Sequence, residues 1–245
     1  MPRRYAEKAL RLPESGDRTL VFEPEDRSRT VVTYLHGRSG DEQSLSDADR
    51  VALRDALLDA GYVVASPRLH GDQWGNRRVQ DDLVALDLWL TEHYAMDTHV
   101  LVGESMGAIA VANALRLQEI EIDAVVLIAP SLSLPAVWRR GEEGRESLVT
   151  AYDLASDGSD LDDRTQCWDP LRHDPSTYLP VPLRIYASAD DHIADLVHVT
   201  GPWLEGVRAV GVDADLIEVT GEHASEDHVR PADLLAWLER RLRRS

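Results

Sequence analysis

The sequence predicts an α/β fold, a mostly parallel central sheet flanked by helices. Three observations predict it. Short apolar, β-branched runs alternate along the chain with longer amphipathic stretches, as strands alternate with crossover helices. Runs such as VLVGE and AVVLIAP are apolar almost throughout, which suits strands buried on both faces. The length, 245 residues, is enough for one such domain with a substantial core.

Strands are expected at 19–22, 30–35, 62–65, 99–102, 124–128, 183–187 and 214–219, and helices at 46–60, 78–92, 106–118, 195–210 and 231–243. In the second helix Val79, Leu83, Leu86 and Leu90 share one face, the 3.6-residue period of a helix packed on a core. Residues 131–180 break the alternation. A stretch of that length without strand pattern is usually functional, and it is read as a cap insertion over one end of the sheet, helical over 145–154. The alternative is a mobile surface excursion.

Composition narrows the function. The formal charge of -18 repels nucleic acid and anionic lipid. The basic run at 240–244 is the local exception, read as a helix end where cations suit the dipole. No stretch approaches the ~20 apolar residues that span a bilayer, and the N-terminus lacks the apolar core of a signal peptide. A cytoplasmic protein without a membrane partner is expected. Cys167 is the one cysteine, so an internal disulfide and a multi-cysteine zinc site are excluded. The nine histidines show no H-x-x-x-H or H-E-x-x-H spacing, and neither metal nor cofactor is expected.

The chemistry lies in VLVGESMGAIAVANAL. A buried strand runs into Gly103-Glu104-Ser105-Met106-Gly107 and an alanine-rich helix follows at once, the strand–turn–helix setting of a G-x-S-x-G nucleophile elbow. A tight turn must strain the serine backbone, and the two glycines remove side chains that would collide with neighbouring backbone. The helix N-terminus offers N–H groups, Met106 first, to a developing oxyanion. Phosphate-loop patterns are absent.

A serine nucleophile needs a base, and the base an orienting carboxylate. LRIYAS ends in Ala189-Asp190-Asp191-His192, and DADLIEVT ends in Gly221-Glu222-His223; both follow strands, where open α/β sheets place their sites. The order Ser105, Asp190, His223 follows, with Asp191 and His228 as the alternatives for acid and base.

With these residues in place the chain resembles the α/β-hydrolases, the superfamily of serine esterases, lipases, thioesterases and peptidases. The resemblance spans roughly residues 30–243. It rests on the elbow, on Tyr34-Leu35-His36-Gly37-Arg38 as the oxyanion strand end, on 187–193 as the acid turn and on Gly221-Glu222-His223. It implies Asp190 as the acid, although Ala187 replaces the usual glycine of that pattern, and a second oxyanion N–H from Arg38. His36 is read as structural, and Glu104 as packing under the elbow.

The expected function is hydrolysis of a small to medium soluble ester or thioester through an acyl-enzyme. Acyl transfer or a lyase reaction on the same triad is the alternative, as is a non-catalytic ligand-binding protein. Gly37, Arg38, Trp74, Trp138 and Trp168 are the candidate substrate contacts. Arg38 would meet a substrate carboxylate or phosphate, or else pair with Glu104 or Asp41. Trp74 stands in the loop 66–82 with Arg68, Arg77 and Arg78, a loop that borders the site or is simply solvated. The oligomeric state is not legible.

Overall fold

The computed structural model describes residues 5–242. Its sheet is formed by β1 (Tyr5–Arg11), β2 (Arg18–Pro24), β3 (Thr30–Leu35), β4 (Val63–Pro67), β5 (Thr98–Glu104), β6 (Ala124–Ile128), β7 (Leu183–Ser188) and β8 (Ala214–Val219). The spatial order is β1-β2-β4-β3-β5-β6-β7-β8. β1–β2 and β2–β4 pair antiparallel, and every later pair is parallel. Each strand predicted from sequence is present within two residues of its expected ends.

Side chains alternate across the sheet as the pleat requires. In β5, Val100 and Val102 face the core shared with α1 (Val51–Asp59) and α8 (Pro231–Leu242). Leu101 faces the opposite core, shared with α2 (Arg77–Tyr94), α3 (Gly107–Leu117) and α7 (Gly201–Ala209). Helices therefore cover both faces, which is why the central strands are largely apolar.

Three local differences from the sequence reading have physical causes. β1 was not expected, because it is a largely exposed edge strand with no apolar face to read; the turn at Leu12–Asp17 sets its pairing, with Gly16 at φ +69. The helix expected from 46 begins at Val51, because a short 3-10 turn and a buried Arg50 occupy its entrance. The helix expected at 195–210 opens as a single π-helical turn, Leu196–Thr200, ahead of α7 with its Pro202.

Between β6 and β7 the chain is more helical than expected. It forms α4 (Leu134–Arg140), α5 (Glu142–Tyr152) and α6 (Leu161–Thr165), then 3-10 turns at Pro170–Arg172 and Pro175–Tyr178. Ser133 caps α4 by accepting the Ala136 N–H. Leu134, Val137, Leu148 and Tyr152 pack this segment onto Trp74, Met106 and Ile109 at the elbow. No helix among the described residues is long and apolar enough to cross a membrane. Of the basic run at 240–244, Arg240 and Arg241 end α8; residues 243 and 244 lie outside the described residues.

Candidate active site

The elbow can form because its glycines admit a close approach that a side chain would block. Ser105 sits at φ +49, in the left-handed region that costs a side-chain-bearing residue strain. A Cβ at Gly107 would lie 2.1 Å from the carbonyl oxygen of Leu35, and one at Gly103 would lie 2.9 Å from Cα of Ala108. The Ser105 N–H donates to Ile128 at 2.9 Å, tying the turn to the end of β6.

His223 arrives on the loop after β8, and its Nε2 lies 2.7 Å from Ser105 Oγ. Its Nδ1 lies 2.7 Å from Asp191 Oδ2. An ionised carboxylate only accepts, so Nδ1 donates to Asp191 and Nε2 is left to accept the serine proton. Asp191 Oδ1 accepts the N–H groups of Ile193 and Ala194, both at 2.8 Å. Burial pushes the Asp191 carboxyl up, but the bonds from His223 and from these two amides outweigh it and hold the pKa below the ordinary range. Asp191 is thus an ionised partner for an imidazole at neutral pH.

Asp190 was expected to meet the histidine, but the carboxylate that does so is Asp191. The strand end closes as a turn in which the Asp191 N–H donates to the Ser188 carbonyl. Asp190 occupies the corner of that turn and is exposed, whereas Asp191 leaves it facing inward with a side chain only 1% exposed. Sequence alone cannot choose between adjacent aspartates, since a one-residue step in a turn reverses the side-chain direction. His228, the alternative base, is buried beneath the His223 loop with Ser225 as its partner.

Opposite the elbow, His36 is fully buried, and its ring nitrogens lie 2.7 Å from the carbonyl oxygens of Gly37 and Arg68. That clamp holds the loop after β3 against the loop after β4. A Cβ at Gly37 would lie 3.3 Å from Ser105 Cβ, so glycine allows the close approach. Among the described residues the N–H groups of Arg38 and Met106 have no hydrogen-bond acceptor. A cavity of about 340 Å³ opens beside Ser105 and His223, walled by Gly37, Arg38, Trp74, Val137, Arg140 and Ile193.

No protein-family model matches the chain, and no curated protein matches it. Solved structures do. Carboxyl esterase 2 of the mycorrhizal fungus Tuber melanosporum superposes with TM-score 0.72 at 18% identity, over 98% of this chain and 86% of that one. An esterase of Pyrococcus furiosus gives TM-score 0.70 at 19% identity, over 98% and 92%. A carboxylesterase of Lactobacillus plantarum gives 0.69 at 13% identity, over 97% and 98%. The fold is the α/β-hydrolase fold.

Within this α/β-hydrolase fold the structure brings together Ser105, His223, Gly37, Arg38, Met106 and Trp74, and it leaves out two predicted contacts. Trp138 packs inside its own segment, against Gly158, with the Arg145 guanidinium 5.9 Å from its ring centre. Trp168 lies under Arg116 at 5.4 Å and lines a separate cavity. Both expected substrate contacts are corrected to packing positions of the helical segment, because neither ring lines the cavity beside Ser105. Trp74 is both: it borders the cavity, yet its Nε1 donates to Ser147 at 2.6 Å. Arg68 and Arg77 are paired elsewhere, with Asp17 and with Asp81 and Glu119.

Two further positions at the site, Arg50 and Arg140, escaped the sequence reading besides Asp191. Arg50 is buried and grips both oxygens of Glu104, at 2.5 and 3.0 Å, while Tyr34 donates to the same carboxylate at 2.8 Å. Arg50 also donates to the carbonyl of Ala224, at 2.5 Å, locking the His223 loop to the elbow. Arg140 borders the cavity from α4. Arg38, the cation that sequence singled out, is taken by Glu143 of α5 at 2.8 Å rather than by Glu104 or Asp41. Away from the cavity, Asp17, His70 and Asp82 form a group of potential metal ligands, in which His70 already pairs with Asp82 at 2.8 Å.

Proposed function

We propose that the protein is a serine hydrolase that cleaves a carboxylic ester or thioester of a small to medium soluble substrate. The observation that carries this reading is the unbroken relay Ser105–His223–Asp191, with both contacts at 2.7 Å. His223 Nε2 takes the Ser105 proton as Oγ attacks the carbonyl carbon. The carbonyl π pair moves to oxygen, and the N–H groups of Met106 and Arg38 receive the oxyanion; one such donor contributes about 3 kcal/mol to the transition state. As the tetrahedral intermediate collapses, His223 protonates the departing alcohol or thiol. Water then attacks the acyl-enzyme with His223 again as base, releasing the acid and restoring Ser105. Asp191 holds the imidazole tautomer and stabilises the imidazolium throughout.

The esterases among the similar structures support the same class. The helical segment 131–180 is assigned the role of a cap, since α4 and α5 supply one wall of the cavity. The reading is tested by intact-mass labelling with a fluorophosphonate, together with Ser105→Ala. One adduct on the wild type, none on the variant, and a fall in ester turnover of about 10⁴-fold or more are expected. A variant that still labels, or still turns over ester, would refute it.

A further inference from the structure

The charges around the cavity are unevenly satisfied. Acidic residues outnumber lysine and arginine by 44 to 26, so a surface arginine has carboxylates to spare. Arg38 has one in Glu143, and the buried Arg50 has Glu104. The side chains of Arg139 and Arg140, the last two residues of α4, have none within 4.0 Å among the described residues and make no hydrogen bond there; the charge of Arg139 is felt by the buried Asp169, whereas Arg140 has no such partner to itself. Both are exposed. Arg140 borders the Ser105 cavity and also a second cavity of about 330 Å³, to which Arg139, His192 and His198 contribute. Arg140 and Ile193 are common walls of the two spaces.

The surroundings of Arg140 are those of a cation lacking its counter-ion. The walls around it and the like charge of Arg38 both disfavour its charged form. The nearby charge that favours it, Asp191, is committed to His223. Glu142 lines the same cavity without pairing with Arg140, and Glu143 is engaged by Arg38. A planar guanidinium presents a donor fork that a carboxylate fills with two parallel bonds.

Resting on the hydrolase reading above, we propose that Arg140, supported by Arg139, is an anion-binding subsite and that the substrate is an ester or thioester carrying a carboxylate remote from the scissile carbonyl. The cavity beside Ser105 takes the reacting group, and the shared wall at Arg140 holds the charged end. A charge-assisted hydrogen bond of this kind corresponds to a preference of roughly tenfold or more for the charged substrate.

Matched esters test this. Para-nitrophenyl hydrogen glutarate is compared with its neutral methyl ester, which places the charge on the acyl side. Para-carboxyphenyl butyrate is compared with its methyl ester, which places it on the leaving-group side. In one of the two pairs the wild type is expected to favour the charged ester at least tenfold in kcat/KM. Arg140→Gln should lower that charged-to-neutral ratio by about tenfold, Arg140→Lys should restore part of it, and added salt should compress it. Ratios near one in both wild-type pairs would overturn the subsite, as would an Arg140→Gln variant that slows both esters equally. If the wild type turns over none of the four esters, the hydrolase reading itself fails.

Discussion

The side of the cavity that carries Ser105, His223 and Asp191 and the side formed by α4 and α5 face each other, yet they are held by different forces. The first side sits on the ends of β5, β7 and β8, in a parallel ladder that includes β6 between β5 and β7 and pairs Gly103 with Leu127 and Ser188 with Val219. Beneath it lies a buried ionic lattice in which Arg50 joins Glu104 to the His223 loop. The second side consists of short helices with a small apolar cluster, stiffened by individual polar bonds such as Trp74 to Ser147 and Tyr152 to the Trp74 carbonyl. It also contains buried titratable groups, Asp169 and His173. The contrast shows where geometry is fixed and where it is adjustable: backbone ladders set the reacting atoms, and side-chain chemistry sets the opposite wall.

The largest effect should come from the reacting side. Asp191→Asn keeps the shape but removes the acceptor that fixes the imidazole tautomer, so turnover should drop about 10⁴-fold. Asp190→Asn, at an exposed turn corner, should stay within a few-fold of wild type. Equal losses in the two variants would undo the assignment, and steady-state kinetics on any accepted ester decides it.

A smaller effect is expected from the lattice that secures that side. Arg50→Met leaves Glu104 buried without its cation, which should cost roughly 3–5 kcal/mol of unfolding free energy. Denaturant titration reads this directly. A midpoint indistinguishable from wild type would mean that Glu104 finds water or another donor.

The smallest effect concerns the helical side and depends on pH. Burial, helped by the charge of Arg116, lowers the pKa of His173 to about 4. The unfolded chain therefore binds the extra proton first, and stability falls as pH drops from about 6.5 through 4, by at most ~3 kcal/mol. Asp169 has the opposite sign. Burial raises it to about 6, so its contribution is present at acid pH and is lost as pH rises through that value. His173→Gln should flatten the acid side of a plot of thermal midpoint against pH, and Asp169→Asn should lessen the loss between pH 4 and 7. Wild-type slopes in both variants would show that the two groups are hydrated in the folded protein.

The fold was legible because its signals are local and repeated. Apolar runs that alternate with helical periods mark strands covered on both faces, and glycines at 103 and 107 have a direct steric reason in the approach of Ala108 and Leu35. β1 was missed for the same reason in reverse, since an edge strand has no buried face and leaves no period. That Ser105 and His223 meet could be anticipated because each follows a strand that announces itself.

What the sequence by itself determined, then, is the succession along the chain of every strand but the first, the strand–turn–helix at Ser105 and the loop that carries His223, all of which rest on backbone sterics and hydrophobic periodicity within short windows. What only the tertiary structure decided is which aspartate meets His223, which arginine is already neutralised and which tryptophan reaches the cavity. Those outcomes depend on side-chain direction and on partners more than thirty residues away, as between Arg38 and Glu143 or Asp191 and His223. A hydrogen bond or an ion pair selects one atom among neighbours of the same type, and that selection is made by the packed chain.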